Sequence, residues 1–119
     1  MPRELEIAVI DDDDSFRMAL VDSLSSLGFG AEGYPSAEEY IRAEKVFDCV
    51  VTDIHLQGMT GLELLQRLAV EEPAIPVVLI TAHTDIALEA SAAAAGAACL
   101  LRKPFKVCDL VNVINQKLG

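Results

Sequence analysis

At 119 residues the chain has room for one domain with a proper core, and an apolar fraction of 52% excludes a disordered chain. Nine basic against nineteen acidic residues leave a net charge of −10, which excludes direct binding to a nucleic-acid backbone. Cations and basic protein faces are the partners such a surface attracts.

Leu5–Ile10 is apolar enough for a buried strand, and four aspartates follow at positions 11–14. Phe16, Leu20, Leu24 and Leu27 then recur at helical spacing, with Gly28 as the natural stop. Asp13, Asp14 and Ser15 suit the start of that helix, where negative charge meets the dipole. Two acids suffice for that task, which leaves Asp11 and Asp12 over. Residues 28–33 read Gly-Phe-Gly-Ala-Glu-Gly and match the dinucleotide-binding fingerprint letter for letter. The fingerprint must follow a strand and open a helix; here it follows a helix and leads into a short strand, Phe29–Tyr34, so nucleotide binding is rejected.

Ser36-Ala37-Glu38-Glu39 reads as a capping box opening a short helix to about Glu44. Phe47–Thr52 is the expected central strand, an apolar run that ends abruptly on Asp53, as a parallel strand covered on both faces would. Leu62, Leu64, Leu65, Leu68 and Ala69 mark the next helix, ended by Pro73. Pro76–Ile80 is a strand with Pro at its tolerated first position. Thr84 or Asp85 caps an Ala-rich helix through Ala95, and Gly96 stops it. Ala97–Leu101 is the last strand, and Val107, Leu110, Val111, Ile114 and Leu118 form the stripe of the last helix.

The pattern is (βα)5 over residues 1–119, an α/β domain with no repeat, linker or low-complexity segment. It calls for a doubly wound parallel sheet in the flavodoxin-like order 2-1-3-4-5, with ligands at the switch point between strands 1 and 3. Cys49, Cys99 and Cys108 are odd in number and lack metal-type spacing, so they read as free thiols in a reducing, cytoplasmic setting. No signal peptide is expected, and the uncharged stretch 90–101 is too short and too rich in Ala and Gly to span a membrane.

Four strand ends carry polar groups: Asp11 and Asp12 after strand 1, Asp53 after strand 3, Thr81 after strand 4 and Lys103 after strand 5. Three carboxylates in one crevice repel one another, which a hard divalent cation such as Mg²⁺ relieves. An ammonium, a hydroxyl, a metal and one well-placed carboxylate suit a site that accepts a phosphoryl group, with the carboxylate as nucleophile.

With these residues in hand, the sequence resembles the receiver domain of two-component response regulators over essentially its whole length. The matching motifs are Ile10-Asp11-Asp12, Asp53 with Gly61 eight residues on, Thr81-Ala82 and Lys103-Pro104-Phe105. Asp11–Arg17 and Tyr34–Glu39 look most like the FixJ-type subgroup. The resemblance implies that Asp53 takes the phosphoryl group from a sensor histidine kinase. It implies that Mg²⁺ is bound by Asp12, Asp53 and the His55 carbonyl, with Asp11 acting through water, and that Lys103 and Thr81 contact the phosphoryl oxygens. The Lys103–Pro104 bond is expected cis. The resemblance further implies that output passes through helix 4, strand 5 and helix 5 to an output domain or partner in transcription regulation, that the same face can pair two copies as a homodimer, and that no metabolite is turned over.

This chain departs from the family at two places. Leu100 stands where an aromatic residue usually swings inward with Thr81, so either that reporting step is absent or it runs through backbone and helix shifts. Gln57 replaces a common proline, which predicts a less constrained loop after Asp53. His55 and His83 should flank the crevice mouth and set the lifetime of the phosphate. Two rival readings are a phosphorylation-independent interaction module of the same fold and a Mg²⁺-dependent phosphohydrolase of the haloacid dehalogenase type. The second needs an aspartate two residues after the nucleophile, where this chain has His55.

Overall fold

The computed structural model describes residues 4–71, 74–83 and 86–118. Five strands and five helices alternate: β1 Glu6–Ile10, α1 Asp14–Ser26, β2 Gly30–Tyr34, α2 Ala37–Ala43, β3 Cys49–Asp53, α3 Gly61–Ala69, β4 Val77–Thr81, α4 Ile86–Ala94, β5 Cys99–Arg102 and α5 Val107–Leu118. All pairings are parallel, and the sheet order is β2-β1-β3-β4-β5, as the alternation of elements requires.

The three central strands are apolar without a break because both faces of the sheet are covered. Ile7 and Val9, Cys49 and Val51, and Val78 and Ile80 pack with Leu20 and Leu24 of α1 and Leu110 and Ile114 of α5. Ala8 and Ile10, Val50, and Val77 and Leu79 pack on the other side with Tyr40, Leu64, Leu65, Leu68 and Ala92, from α2, α3 and α4. Burying each of the larger aliphatic side chains contributes about 1.5–3 kcal/mol before entropy is counted. That two-sided core fixes the register, and the register brings the C-terminal ends of β1, β3, β4 and β5 to one edge.

The helix starts follow local chemistry. Asp13 caps α1 by accepting the Phe16 N–H at 3.1 Å, and Ser36 caps α2 by accepting the Glu39 N–H at 3.1 Å. A capping box with both hydrogen bonds made opens α3, between Thr60 and Glu63. Gly28 closes α1 with φ +95°, and Gly33 leaves room for the Arg17 side chain to cross β2, so two glycines of the apparent dinucleotide fingerprint have structural tasks. Thr84 and Asp85, expected as caps of α4, and Pro73, expected to end α3, lie outside the described residues. α3 itself gives out at Val70.

All five strands begin one or two residues later than expected: β1 begins at Glu6, and β3 begins at Cys49 and runs on to Asp53. β4 begins one residue later and takes in Thr81. β2 begins at Gly30. β5 begins at Cys99, because Ala97 completes the end of α4: its N–H bonds the Ala92 carbonyl at 3.1 Å while Gly96, at φ +91°, bonds Ala93 at 3.1 Å.

Candidate functional site

Three polar side chains at the strand ends are each clamped by the main-chain N–H two residues further on. Asp11 Oδ1 accepts from Asp13 at 2.9 Å, Asp53 Oδ1 from His55 at 2.8 Å and Thr81 Oγ1 from His83 at 3.1 Å. Each clamp is a local turn of the kind Asp and Thr favour. It fixes the side chain's direction as the strand gives way to loop.

Lys103 ties these ends together. Its Nζ donates to Asp11 Oδ2 at 2.8 Å and Asp53 Oδ2 at 3.0 Å, and its main-chain N–H donates to the Thr81 carbonyl at 2.7 Å. The Lys103–Pro104 peptide is cis, as expected. The side chains of Asp11, Asp53 and Lys103, distant in sequence, therefore meet at one point, and Thr81 joins them through the backbone of Lys103. Asp11 is 0% and Thr81 1% exposed, with Asp53 at 8%. Asp12 is exposed beside them. His55 and His83 are both exposed, and their rings meet edge to face with centroids 4.3 Å apart. Leu100 is partly buried and packs with the cluster on the α2–α3–α4 side of the sheet.

Burial pushes the Asp11 carboxyl above its ordinary pKa, against the hydrogen bonds from Lys103 and the Asp13 N–H; the Asp53 charge adds to the rise. Burial alone would lower the Lys103 pKa, but its hydrogen bonds to Asp11 and Asp53 outweigh that and raise it. A carboxyl whose folded-state pKa is raised is stabilising when protonated, and that stability is lost as pH rises through the raised value. Asp11→Asn should therefore melt at a higher temperature than the parent protein at pH 7, with the gap closing as pH falls through the carboxylate range. Thermal melts of the two proteins across that range check it.

The donor set suits a hard divalent cation. Two buried carboxylates share one ammonium, which leaves excess negative charge, and every donor is oxygen. Among the described residues no three His, Cys, Asp or Glu side chains converge as a metal site. Mg²⁺ asks for no such cluster, since it takes one or two carboxylates and keeps several waters.

Four features of the site were not read from the sequence. Arg17 donates to the Asp11 carbonyl at 2.7 Å and to Asp14 Oδ1 at 2.7 Å, pinning the β1 end to α1. Asp14 and Arg17 at i,i+3 carry a signal for half of that. Glu38 reaches from α2 to accept the Met59 N–H at 2.9 Å, beside Gly58 at φ +75°. This tie restrains the loop that Gln57 in place of proline was expected to free. Gly61 packs against the backbone of Asp53 and Ile54, and Phe16 faces Lys103.

Residues 7–115 match the response regulator receiver domain. The chain is 36% identical over 121 residues to the transcriptional regulatory protein FixJ of Azorhizobium caulinodans, covering 100% of this chain and 57% of that one. The solved structure of the BeF3-activated DrrB receiver domain superposes with a TM-score of 0.90 at 27% identity, over 98% of each chain. The FixJ-N crystal structure does so with a TM-score of 0.86 at 28% identity, over 98% of this chain and 94% of that one. The chain thus spans little more than half the length of its FixJ relative.

Proposed function

This chain belongs to the response regulator receiver domain family of two-component signalling, and on that premise we propose that Asp53 is its phosphoacceptor, loaded by a sensor histidine kinase. The observation that carries this reading is the meeting of Asp11 and Asp53 on the single ammonium of Lys103. The Asp53 carboxylate attacks the phosphorus of a phosphohistidine, the P–N bond breaks and an acyl phosphate forms. The His55 N–H holds one carboxylate oxygen and so sets the plane of attack. Thr81 Oγ1 accepts from the His83 N–H, which leaves the hydroxyl proton free for a phosphoryl oxygen. Lys103 Nζ, already on Asp53 Oδ2, needs only a short shift to reach the incoming group.

Asp12, Asp53 and the His55 carbonyl would hold Mg²⁺, with Asp11 acting through water. When bound, the cation neutralises phosphoryl oxygen charge. His55 and His83, side by side at the mouth, govern water access and so the lifetime of the acyl phosphate.

Movement of Thr81 on phosphorylation passes to Leu100 and to the face formed by α4, β5 and α5. Leu100 has no ring to swing, so the change runs through α4. That helix is anchored lightly: its short alanines bury little area, Ala92 alone is buried among its described residues, and Arg102 of β5 holds Glu89 at 2.6 Å on the exposed surface. The same face receives an output domain, an effector or a second copy. Likeness to a transcriptional regulator of nearly twice the length supports an output in transcription control carried by another domain, in the cytoplasm. This domain itself turns over no metabolite. No helix among the described residues is long and apolar enough to cross a membrane.

Incubation with acetyl phosphate and Mg²⁺, followed by intact mass measurement, should show the addition of one phosphoryl group. The addition should vanish with chelator and in Asp53→Asn. An equal mass gain in Asp53→Asn would refute the assignment.

A further inference from the structure

Phe16 is the third residue of α1, and its ring lies 4.1 Å from Lys103 Nζ, well inside the range of a cation–π contact. The helical stripe to which Phe16 belongs asks for apolar bulk at that position and not for a ring. Two contacts hold the ring where it is. The Phe16 N–H is fixed by Asp13 Oδ1 at 3.1 Å, and Phe105, two residues past Lys103, packs against the ring edge to face at 5.9 Å. The ammonium thus has three neighbours: the Asp11 carboxylate, the Asp53 carboxylate and an aromatic face.

We propose that Phe16 is a positioning residue for Lys103, whose aromatic face keeps the ammonium at the site while the two carboxylates change charge. The inference rests on the reading of Asp53 and Lys103 given above. Once Asp53 carries a phosphoryl group, its former carboxylate is a neutral carbonyl oxygen and a bridging anhydride oxygen, so that ion pair weakens. The Asp11 charge is shared with any cation bound beside it. Both anionic contacts therefore loosen at the step in which Lys103 must turn toward the phosphoryl oxygens. The pull of the ring does not depend on either charge. Its apolar face also keeps water off one side of the ammonium, which strengthens the remaining electrostatic contacts.

Fluorinated phenylalanines at position 16 test this, because each added fluorine weakens the ring's negative face while its shape changes little. Across mono-, di- and trifluorophenylalanine the rate of phosphorylation by acetyl phosphate with Mg²⁺ should fall stepwise, to about fivefold below the parent, the equivalent of about 1 kcal/mol. Phe16→Leu should show a similar loss while remaining folded. In the parent protein the Lys103 methylene proton resonances next to Nζ should be shifted by the ring, and in Phe16→Leu they should return to ordinary lysine values. A rate that is flat through the fluorinated series, or Phe16→Leu phosphorylated as fast as the parent, overturns the proposal. If the parent itself takes up no phosphoryl group, the reading of Asp53 fails. The lysine resonances then still decide whether the ring holds Lys103.

Discussion

Lys103→Met should lower the melting temperature by roughly 10 °C at pH 7 in the absence of Mg²⁺, and added Mg²⁺ should recover much of that loss. The substitution keeps an apolar stem of similar length against Phe16, so packing is largely preserved. What it removes is the one ammonium shared by Asp11, which is fully buried, and Asp53, which nearly is. Removing one partner of a buried ion pair costs about 3–5 kcal/mol. The Lys103 side chain is 18% exposed, so solvent screening places the expected loss nearer to about 2–3 kcal/mol. Without the ammonium the Asp11 carboxyl loses the hydrogen bond and charge that oppose its burial, so its folded-state pKa is raised further. Stability tied to a raised carboxyl pKa is recovered as pH falls, so the deficit of the variant should shrink toward about pH 5. Thermal melts of both proteins over pH, with Mg²⁺ and with chelator, check all three statements. Equal melting temperatures at pH 7 without metal would mean that the ammonium does not hold the two acids together.

Gly61→Ala should be more damaging than its size suggests. A Cβ at Gly61 would run into the Asp53 carbonyl oxygen and stand 2.9 Å from Ile54 Cα and 3.0 Å from the Asp53 carbonyl carbon. None of these atoms can rotate away. Ile54 is held by its N–H on Ile80 at 3.0 Å, and Gly61 N–H itself donates to the Ile54 carbonyl at 3.0 Å. Relief must come from lifting α3, whose Leu64, Leu65 and Leu68 are buried in the core. Overpacking of this kind costs about 3 kcal/mol. Displacing the backbone that carries Asp53 should also slow phosphorylation by on the order of 100-fold, since in-line transfer tolerates little misplacement. Gly33→Ala is the control. Its Cβ would meet the Arg17 side chain at 3.0 Å and no backbone atom; Arg17 is held by the Asp11 carbonyl and Asp14 but needs to give by only a few tenths of an ångström, so both effects should be smaller than at Gly61. Urea unfolding and the rate with acetyl phosphate read both variants. A Gly61→Ala protein as stable and as fast as the parent would show that the close approach of α3 to Asp53 does not matter.

These two sites also mark how far the sequence could be read. The runs at 5–10, 47–52 and 76–80 were legible as strands because a sheet covered on both faces demands unbroken apolar stretches, and the strand ends then named Asp11, Asp12, Asp53, Thr81 and Lys103. The four aspartates at 11–14 could be divided only in part. Asp13 is the cap, Asp14 pairs with Arg17 and Asp11 enters the site. The start of β5 was misjudged because Ala97 and Ala98 are apolar in either setting; only the hydrogen bond from Ala97 back to Ala92 gives the first of them to the helix end. The capping box at Thr60 and Glu63 carried a signal of its own, T-x-x-E before an apolar run, that spacing rules could have used. Glu38 on Met59, Phe16 over Lys103 and the two histidine rings in contact carry no local signature. Each joins residues far apart in sequence whose meeting depends on the finished packing.

Locating the phosphoryl group is the decisive check on Asp53 as the acceptor. Protein treated with acetyl phosphate and Mg²⁺ is reduced with borohydride, which converts an acyl phosphate to an alcohol, and the modified peptide is mapped. A single modified residue, Asp53, is expected, and none in protein treated with chelator. Modification at Asp11, Asp12 or a histidine in its place, or none anywhere, would contradict that assignment.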